Sequence, residues 1–360
     1  MKTRGYAALS AKTPLVPFEF ERRPVGAHDV HIEILFCGIC HSDLHMVKNE
    51  WGGSIFPMVP GHEIIGKVKH IGIDVKKFKV GDLAMVGCMV DSCRTCPSCH
   101  DGLEQYCEKG FTQTYNWQDP QTTNKVTYGG YSTQIVVDEK YTLCVPKKFK
   151  AHQIASLAPL VCAGITTYSP LRHWKIGKGD KVGIVGLGGL GHMAIKLANA
   201  MGAEVTLFTT SSQKMKDGEK LGATRAILST HTEEMKKSMN TLDFILNTVS
   251  APHNLDIYLE QLKRDGTMCL VGLPETPHPS PAVGPMIFKR KTLAGSLIGG
   301  IKETEEMLNF CADHHITADI EVISADRINE AYTRMLKSDV KYRFVIDLQS
   351  LNHRSHQTKY

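Results

Sequence analysis

The sequence predicts an α/β protein of two domains: a β-rich domain with long loops, and a doubly wound parallel sheet. Three observations carry this prediction. Short β-type runs separated by Gly, Pro and Asp fill the chain up to about residue 150, the pattern of an irregular, loop-bearing β domain. From about Ala151 onward apolar strands alternate with helical stretches, as parallel strands joined by crossover helices do. At 360 residues the chain also exceeds the usual size of a single domain.

In chain order, Val30, Ile32, Ile34 and Phe36 alternate with other residues and predict a half-buried strand over Val30–Phe36. Ile64–Ile71, Leu83–Val86 and Ser132–Val137 read the same way, with turns at Val59-Pro60-Gly61, Val80-Gly81-Asp82 and Gly129-Gly130. The second half predicts strands at Val182–Gly186, Val205–Thr209, Ala226–Leu228, Phe244–Val249, Met268–Leu273 and Leu293–Ser296. Helical patterns at Met193–Met201 and Leu255–Leu262 fall between them. About six strands suit a doubly wound dinucleotide-binding domain. The end of the chain predicts helices over Glu303–Asp313 and Ile328–Leu336, a strand over Tyr342–Asp347, and a frayed polar tail after Leu351.

Composition narrows the function classes. A net charge of +5 comes from dispersed Lys and Arg with no long basic run, so no nucleic-acid partner is expected. No apolar run reaches the length of a bilayer span and Met1–Tyr6 lacks a signal-peptide core, so no membrane partner and a cytoplasmic location are expected. Eleven cysteines, an odd number, then favour metal ligands and free thiols over a disulfide framework. Cys88, Cys144, Cys269 and Cys311 lie in apolar or helical contexts and read as packed thiols.

Cys93, Cys96, Cys99 and Cys107 have the spacing C-x₂-C-x₂-C-x₇-C. Four thiolates can close a tetrahedron around Zn²⁺ and leave no position for substrate, which marks a structural site. An iron–sulfur cluster is the competing reading, and the Pro that follows the last cysteine of ferredoxin runs is missing. Gly186-Leu187-Gly188-Gly189-Leu190-Gly191 lies between a strand and a helix. There glycines allow a tight turn and close approach to a pyrophosphate at the helix N-terminus. At the end of the next strand, Thr209-Thr210-Ser211-Ser212-Gln213-Lys214 offers hydroxyls and a cation where NAD-preferring sites place a carboxylate, which favours NADP(H).

The remaining chemistry gathers at Cys40-His41-Ser42-Asp43-Leu44-His45, where Cys37 and Cys40, and His41 and His45, compete for the same roles. Further ligand candidates are His62, beside Glu63 and after Pro60-Gly61, and Cys162 in Ala158-Pro159-Leu160-Val161-Cys162-Ala163-Gly164. Trp51, Tyr115, Trp117 and Leu297 are candidates for a pocket wall or for plain core.

These motifs resemble the zinc-dependent medium-chain dehydrogenases/reductases, and within them the cinnamyl-alcohol-dehydrogenase group and bacterial NADPH-dependent aldehyde reductases. The resemblance is carried by residues 37–45, 60–63, 162–168, 186–192, 295–300 and 339–345 together with the four-cysteine run, and it covers about Tyr6 to Asp347. It implies Cys40, His62 and Cys162 as catalytic zinc ligands, Glu63 as an exchangeable ligand, and Cys93, Cys96, Cys99 and Cys107 as the structural set, hence two Zn²⁺ per chain. Ser42 would bond the substrate oxygen and His45 pass its proton to solvent, with Cys37 a packed thiol and His41 a framework or cofactor-side residue. Cofactor contacts would come from Thr166, Gly186 to Gly191, Thr209, Thr210, Ser211, Lys214, Thr248, Gly272, Leu297 and Gly299. The implied fold is a GroES-like catalytic domain over residues 1–155 and 298–360, with a Rossmann NADP-binding domain over 156–297, assembled as a homodimer. The implied reaction is hydride transfer between NADP(H) and small-molecule aldehydes or primary alcohols, aromatic or cinnamyl types included. Ketone or conjugated C=C reduction, and a non-catalytic NADPH- and zinc-binding protein, are the alternatives.

Overall fold

The structure, a computed structural model, describes residues 1–119, 121 and 126–351. The chain forms two compact units, one of Met1–Cys162 with the chain from Gly299 onward, the other of Ala163–Ile298.

The first unit is built on a seven-stranded sheet. Strands Ile320–Ser324, Arg343–Asp347, Asp29–Ile39, Ile64–Ile71, Leu83–Val86 and Leu143–Cys144 lie side by side in that order, and Gln134–Asp138 also pairs with Asp29–Ile39. Asp29–Ile39 is its spine. Val30, Ile32 and Ile34 are buried as their alternation predicts, and full burial of such a side chain contributes roughly 1.5–3 kcal/mol. Register shifts between His31 and Ile32 and between Ile34 and Phe36 break the alternation, so that Cys37 rather than Phe36 is the next fully buried residue.

The strand runs past its predicted end to Ile39, and helix His41–Val47 starts with Cys40 as its N-cap. The Asp43 carboxylate accepts the Cys40 N–H at 2.9 Å, the reciprocal bond of a capping box. Seven residues with three polar or charged side chains in the first turn are too short to show a helical period, and the sequence reading treats them as a strand end. Helices Ile301–Asp313 and Ile328–Leu336 and strand Arg343–Asp347 complete the unit close to their predicted bounds. The tail predicted to fray lies outside the described residues.

The second unit holds six parallel strands in the order Arg225–Leu228, Glu204–Thr209, Lys181–Val185, Leu242–Asn247, Leu262–Leu270 and Thr292–Gly295. By chain position this is 3-2-1-4-5-6, the doubly wound order, with its switch point between the first and fourth strands. One expectation fails. Of the stretch Leu255–Leu262 only Asp256–Leu259 is α-helical, and Leu262 opens the fifth strand, paired with Leu242. Leu255, Leu259 and Leu262 are all buried, and a short apolar run shared by two elements imitates one helical face.

Candidate zinc and cofactor sites

The sulfurs of Cys93, Cys96, Cys99 and Cys107 all lie within 4.8 Å of one another. Cys93 and Cys99 are 3.9 Å apart and Cys96 and Cys99 3.5 Å. Four sulfurs about 2.3 Å from a tetrahedral zinc would be about 3.8 Å apart, so the set fits that ion. Backbone N–H groups of Cys93 and Cys96 donate to the sulfurs of Cys107 and Cys93, at 3.4 and 3.3 Å, and stabilise thiolates.

The second set is assembled from distant chain positions. Cys40, His62, Glu63 and Cys162 each present a donor atom, all within 4.8 Å of one another and all buried. Cys40 Sγ is 3.9 Å from Cys162 Sγ, and His62 Nε2 is 3.2 Å from Cys162 Sγ. Two sulfurs and one nitrogen at these separations suit three corners of a zinc tetrahedron, with a Glu63 carboxylate oxygen near the fourth. The hydrogen bond from the Cys162 thiol holds Cys40 well below the usual thiol range. Burial is the largest single influence on His62 and opposes its charge, yet the Asp43 carboxylate together with the Cys88 and Cys40 thiols outweighs it and raises the imidazole well above its usual range.

Each donor has a local reason for its place. Cys40 sits between the central strand and helix His41–Val47, as the helix N-cap. Gly61 has φ +105°, a conformation glycine adopts freely, and the turn it makes delivers His62. Glu63 lies against Gly38, where any Cβ would collide with its carboxylate. Arg343, on the neighbouring strand of the same sheet, donates to Glu63 Oε1, while Glu63 Oε2 has no hydrogen-bond partner among the described residues. Arg343 falls within the quoted motif 339–345, but nothing local in the sequence assigns it a role.

Around this set, Ser42 Oγ is 3.6 Å from Cys40 Sγ. His45 follows three residues later on the same helix, and its Nδ1 lies 2.5 Å from Glu50 Oε2. Glu50 is a functional candidate the sequence reading omits; its only signal is the spacing of five residues from His45. Asp43, quoted in the motif without a role, accepts from His62 Nδ1 at 3.1 Å. Such a carboxylate fixes the tautomer that turns Nε2 toward a metal. The Tyr115 ring stacks on His62 at 5.8 Å and the Trp51 ring on His45 at 4.7 Å. Trp117 is largely exposed and so is Leu297, in the other unit.

Cys37, Cys269 and Cys311 are buried thiols as predicted, but two others are not. Cys144 is exposed, on a two-residue strand at the edge of the sheet. Cys88 is half-buried and in contact with Cys162.

In the second unit Gly186, at φ +89°, follows the first strand, and Gly191 packs so closely on the Gly186 carbonyl that no Cβ fits. Helix Gly189–Ala200 begins inside the glycine loop. Thr248 lies just beyond the fourth strand and donates to the Val185 carbonyl at 2.8 Å, while Gly272 follows the fifth strand against the Val249 backbone. Thr209 ends the second strand, and its hydroxyl accepts the Ser211 N–H at 3.2 Å. Ser211 caps helix Ser212–Lys220 by accepting the Lys214 N–H. Half-burial lowers the Lys214 ammonium from its ordinary range. Thr166 lies on helix Ala163–His173 of this unit, and Gly299 belongs to the first unit.

A β-rich unit with two cysteine-based zinc sets and a glycine loop on a doubly wound sheet together define a zinc dehydrogenase. Residues 26–147 match the alcohol dehydrogenase GroES-like domain and residues 189–313 the zinc-binding dehydrogenase family. The chain is 58% identical to the aldehyde reductase YahK of Escherichia coli, over 98% of this chain and 99% of that one. Among solved structures it resembles a cinnamyl alcohol dehydrogenase of Sorghum bicolor (TM-score 0.93, 44% identity, 97% and 98% of the two chains). It also resembles the CAD of Helicobacter pylori, solved with NADP(H) (TM-score 0.90, 43% identity, 97% and 99%). The chain belongs to the zinc-dependent medium-chain dehydrogenase/reductase family, in the group of cinnamyl alcohol dehydrogenases and aldehyde reductases.

Proposed function

We propose that this oxidoreductase reduces aldehydes to primary alcohols with NADPH and runs the reverse reaction with NADP⁺. The observation that carries the reading is the buried set of Cys40, His62 and Cys162, with the Ser42 hydroxyl against it. A zinc ion held by these three residues would supply a Lewis acid with one position left for substrate, and NADPH would supply the hydride. The side chains do the rest. Ser42 reaches a substrate oxygen beside Cys40, bonds it and gives it a proton. His45, one helical turn on, returns the proton to Ser42. Glu50 holds His45 Nδ1, which leaves Nε2 for that transfer. Glu63, with one oxygen free of partners, is placed to join the ligand set while substrate exchanges.

Hydroxyls at Thr209, Thr210 and Ser211 with the Lys214 cation suit a 2′-phosphate, and no carboxylate there would repel it. Tyr115 and Trp51, stacked on the two functional imidazoles, favour apolar and aromatic aldehydes. We further infer a homodimer. Strand Thr292–Gly295 is a sheet edge, and Val283, Ile287 and Phe288 on the preceding helix are 64%, 70% and 86% exposed, an apolar face that a second copy would cover. Thiolate ligand sets need a reducing compartment, which supports a cytosolic location.

The test is oxidation of NADPH and of NADH against aliphatic, aromatic and cinnamyl aldehydes. The proposal expects turnover with NADPH, fastest on aromatic substrates. No turnover with any aldehyde, or a preference for NADH, would overturn it.

A further inference from the structure

Asp43 is fully buried, and its hydrogen bonds account for both oxygens. Oδ1 accepts from the Gly61 N–H at 3.1 Å and from His62 Nδ1 at 3.1 Å. Oδ2 accepts from the Cys40 N–H at 2.9 Å and from the Tyr131 hydroxyl at 3.1 Å. A carboxylate has about four lone-pair sites. Of these four donors two are main-chain amides and one is a zinc-ligand candidate; the Tyr115 hydroxyl also interacts with Asp43, but its ring stacks on His62, so the Tyr131 hydroxyl is the one a side-chain change can remove while the ligand set and the ring against it stay. Behind it, the Tyr332 hydroxyl, on helix Ile328–Leu336, donates to the Tyr131 oxygen at 3.4 Å. Both phenols are buried, and aligned donors in a dry interior polarise one another. The Tyr131 ring is also clamped. Its N–H donates to the Pro60 carbonyl at 2.9 Å, its carbonyl accepts the Tyr6 N–H at 2.9 Å, and a Cβ on Gly61 would fall 2.6 Å from its Cδ1.

We propose that Tyr131, backed by Tyr332, is a positioning residue that sets how strongly Asp43 pulls on His62, and so how electron-rich a ligand His62 is for the catalytic zinc. This rests on the zinc placement proposed above. The charge on Asp43 is shared among its donors. Without the phenol more of it falls on the His62 N–H, the most acidic donor that remains. Asp43 itself stays in place, because a main-chain amide holds each oxygen. His62 then becomes a stronger ligand and the zinc a weaker electrophile. A bond that merely stiffened the site would act with the opposite sign, since its loss would free the metal.

The experiment uses the zinc-loaded full chain carrying Tyr131→Phe. Single-turnover oxidation of NADPH with saturating aldehyde should slow about 3- to 10-fold, with KM for NADPH unchanged. Catalytic zinc should pass to a chelator no faster than in the unaltered protein, and the visible bands of the cobalt-substituted site should shift. Tyr332→Phe should move these readouts the same way by less, and it carries the test if Tyr131→Phe does not fold. Asp43→Asn, which removes the charge, should release zinc faster. Faster zinc release from Tyr131→Phe, or an unchanged rate and cobalt spectrum, would overturn the proposal. Zinc content of the unaltered protein is read first, and a chain that lacks the Cys40–His62–Cys162 zinc would instead overturn the site placement.

Discussion

The two cysteine sets use the same ligand chemistry and are built in opposite ways. The four-cysteine lobe draws its ligands from one loop, with Cys93 and Cys107 14 positions apart; Cys96 caps one short helical turn, Pro97–His100, and Cys99 lies within it. The other set joins Cys40 to Cys162 across 122 positions and brings His62 from a third segment. The lobe is partly exposed and its thiols satisfy one another and nearby amides. The second set is buried, includes a Glu63 carboxylate beside Cys40, His62 and Cys162, and is surrounded by Ser42, Asp43 and Arg343. Ligands close in sequence can close a shell by themselves. Ligands held by separate elements leave a gap that the fold controls, and a substrate needs that gap.

The largest effect should separate the sets by function. Cys162→Ser should lower turnover by roughly a thousandfold or more, since it removes a ligand from a metal that contributes several kcal/mol to the transition state. Steady-state kinetics and zinc analysis check it, and the lobe zinc should remain. In the converse variant, Cys99→Ser, zinc should fall to one per chain and the midpoint of thermal unfolding should drop by roughly 5–10 °C, while turnover at low temperature falls little. Equal loss of turnover in the two variants would erase the distinction.

Smaller effects sharpen it. Glu50→Gln should lower kcat roughly tenfold, because His45 then loses the carboxylate that fixes its tautomer. KM and zinc content should hold, as Glu50 contacts neither zinc set. Thr210→Asp, in the other compact unit, should shift the ratio of kcat/KM for NADPH over NADH roughly tenfold toward NADH, with both zincs retained. An unchanged ratio would mean that Thr209 to Lys214 do not face the 2′-phosphate.

The same contrast explains what could be read from the sequence. The lobe is legible because its ligands lie within one loop, and the six-stranded sheet because strand and helix alternate. Gly186 to Gly191 is legible because a strand precedes it and a helix follows. Cys40 and Cys37 cannot be told apart from spacing alone. Register shifts in Asp29–Ile39 decide which residues face the core, and the sequence does not display them. Helix His41–Val47 is missed because seven residues are too few to show a period. Leu255–Leu262 is misread because an apolar run fits helix and strand alike. Glu50, Tyr131 and Arg343 escape because their partners, His45, Asp43 and Glu63, are met only through tertiary structure.

The central claim is that the buried, dispersed set holds a second zinc. Diffraction data collected at the zinc absorption edge test it most directly. The account predicts two anomalous peaks per chain, one among Cys93, Cys96, Cys99 and Cys107, and one about 2.3 Å from the sulfurs of Cys40 and Cys162 and about 2.0–2.1 Å from His62 Nε2. A single peak, at the lobe alone, would contradict it.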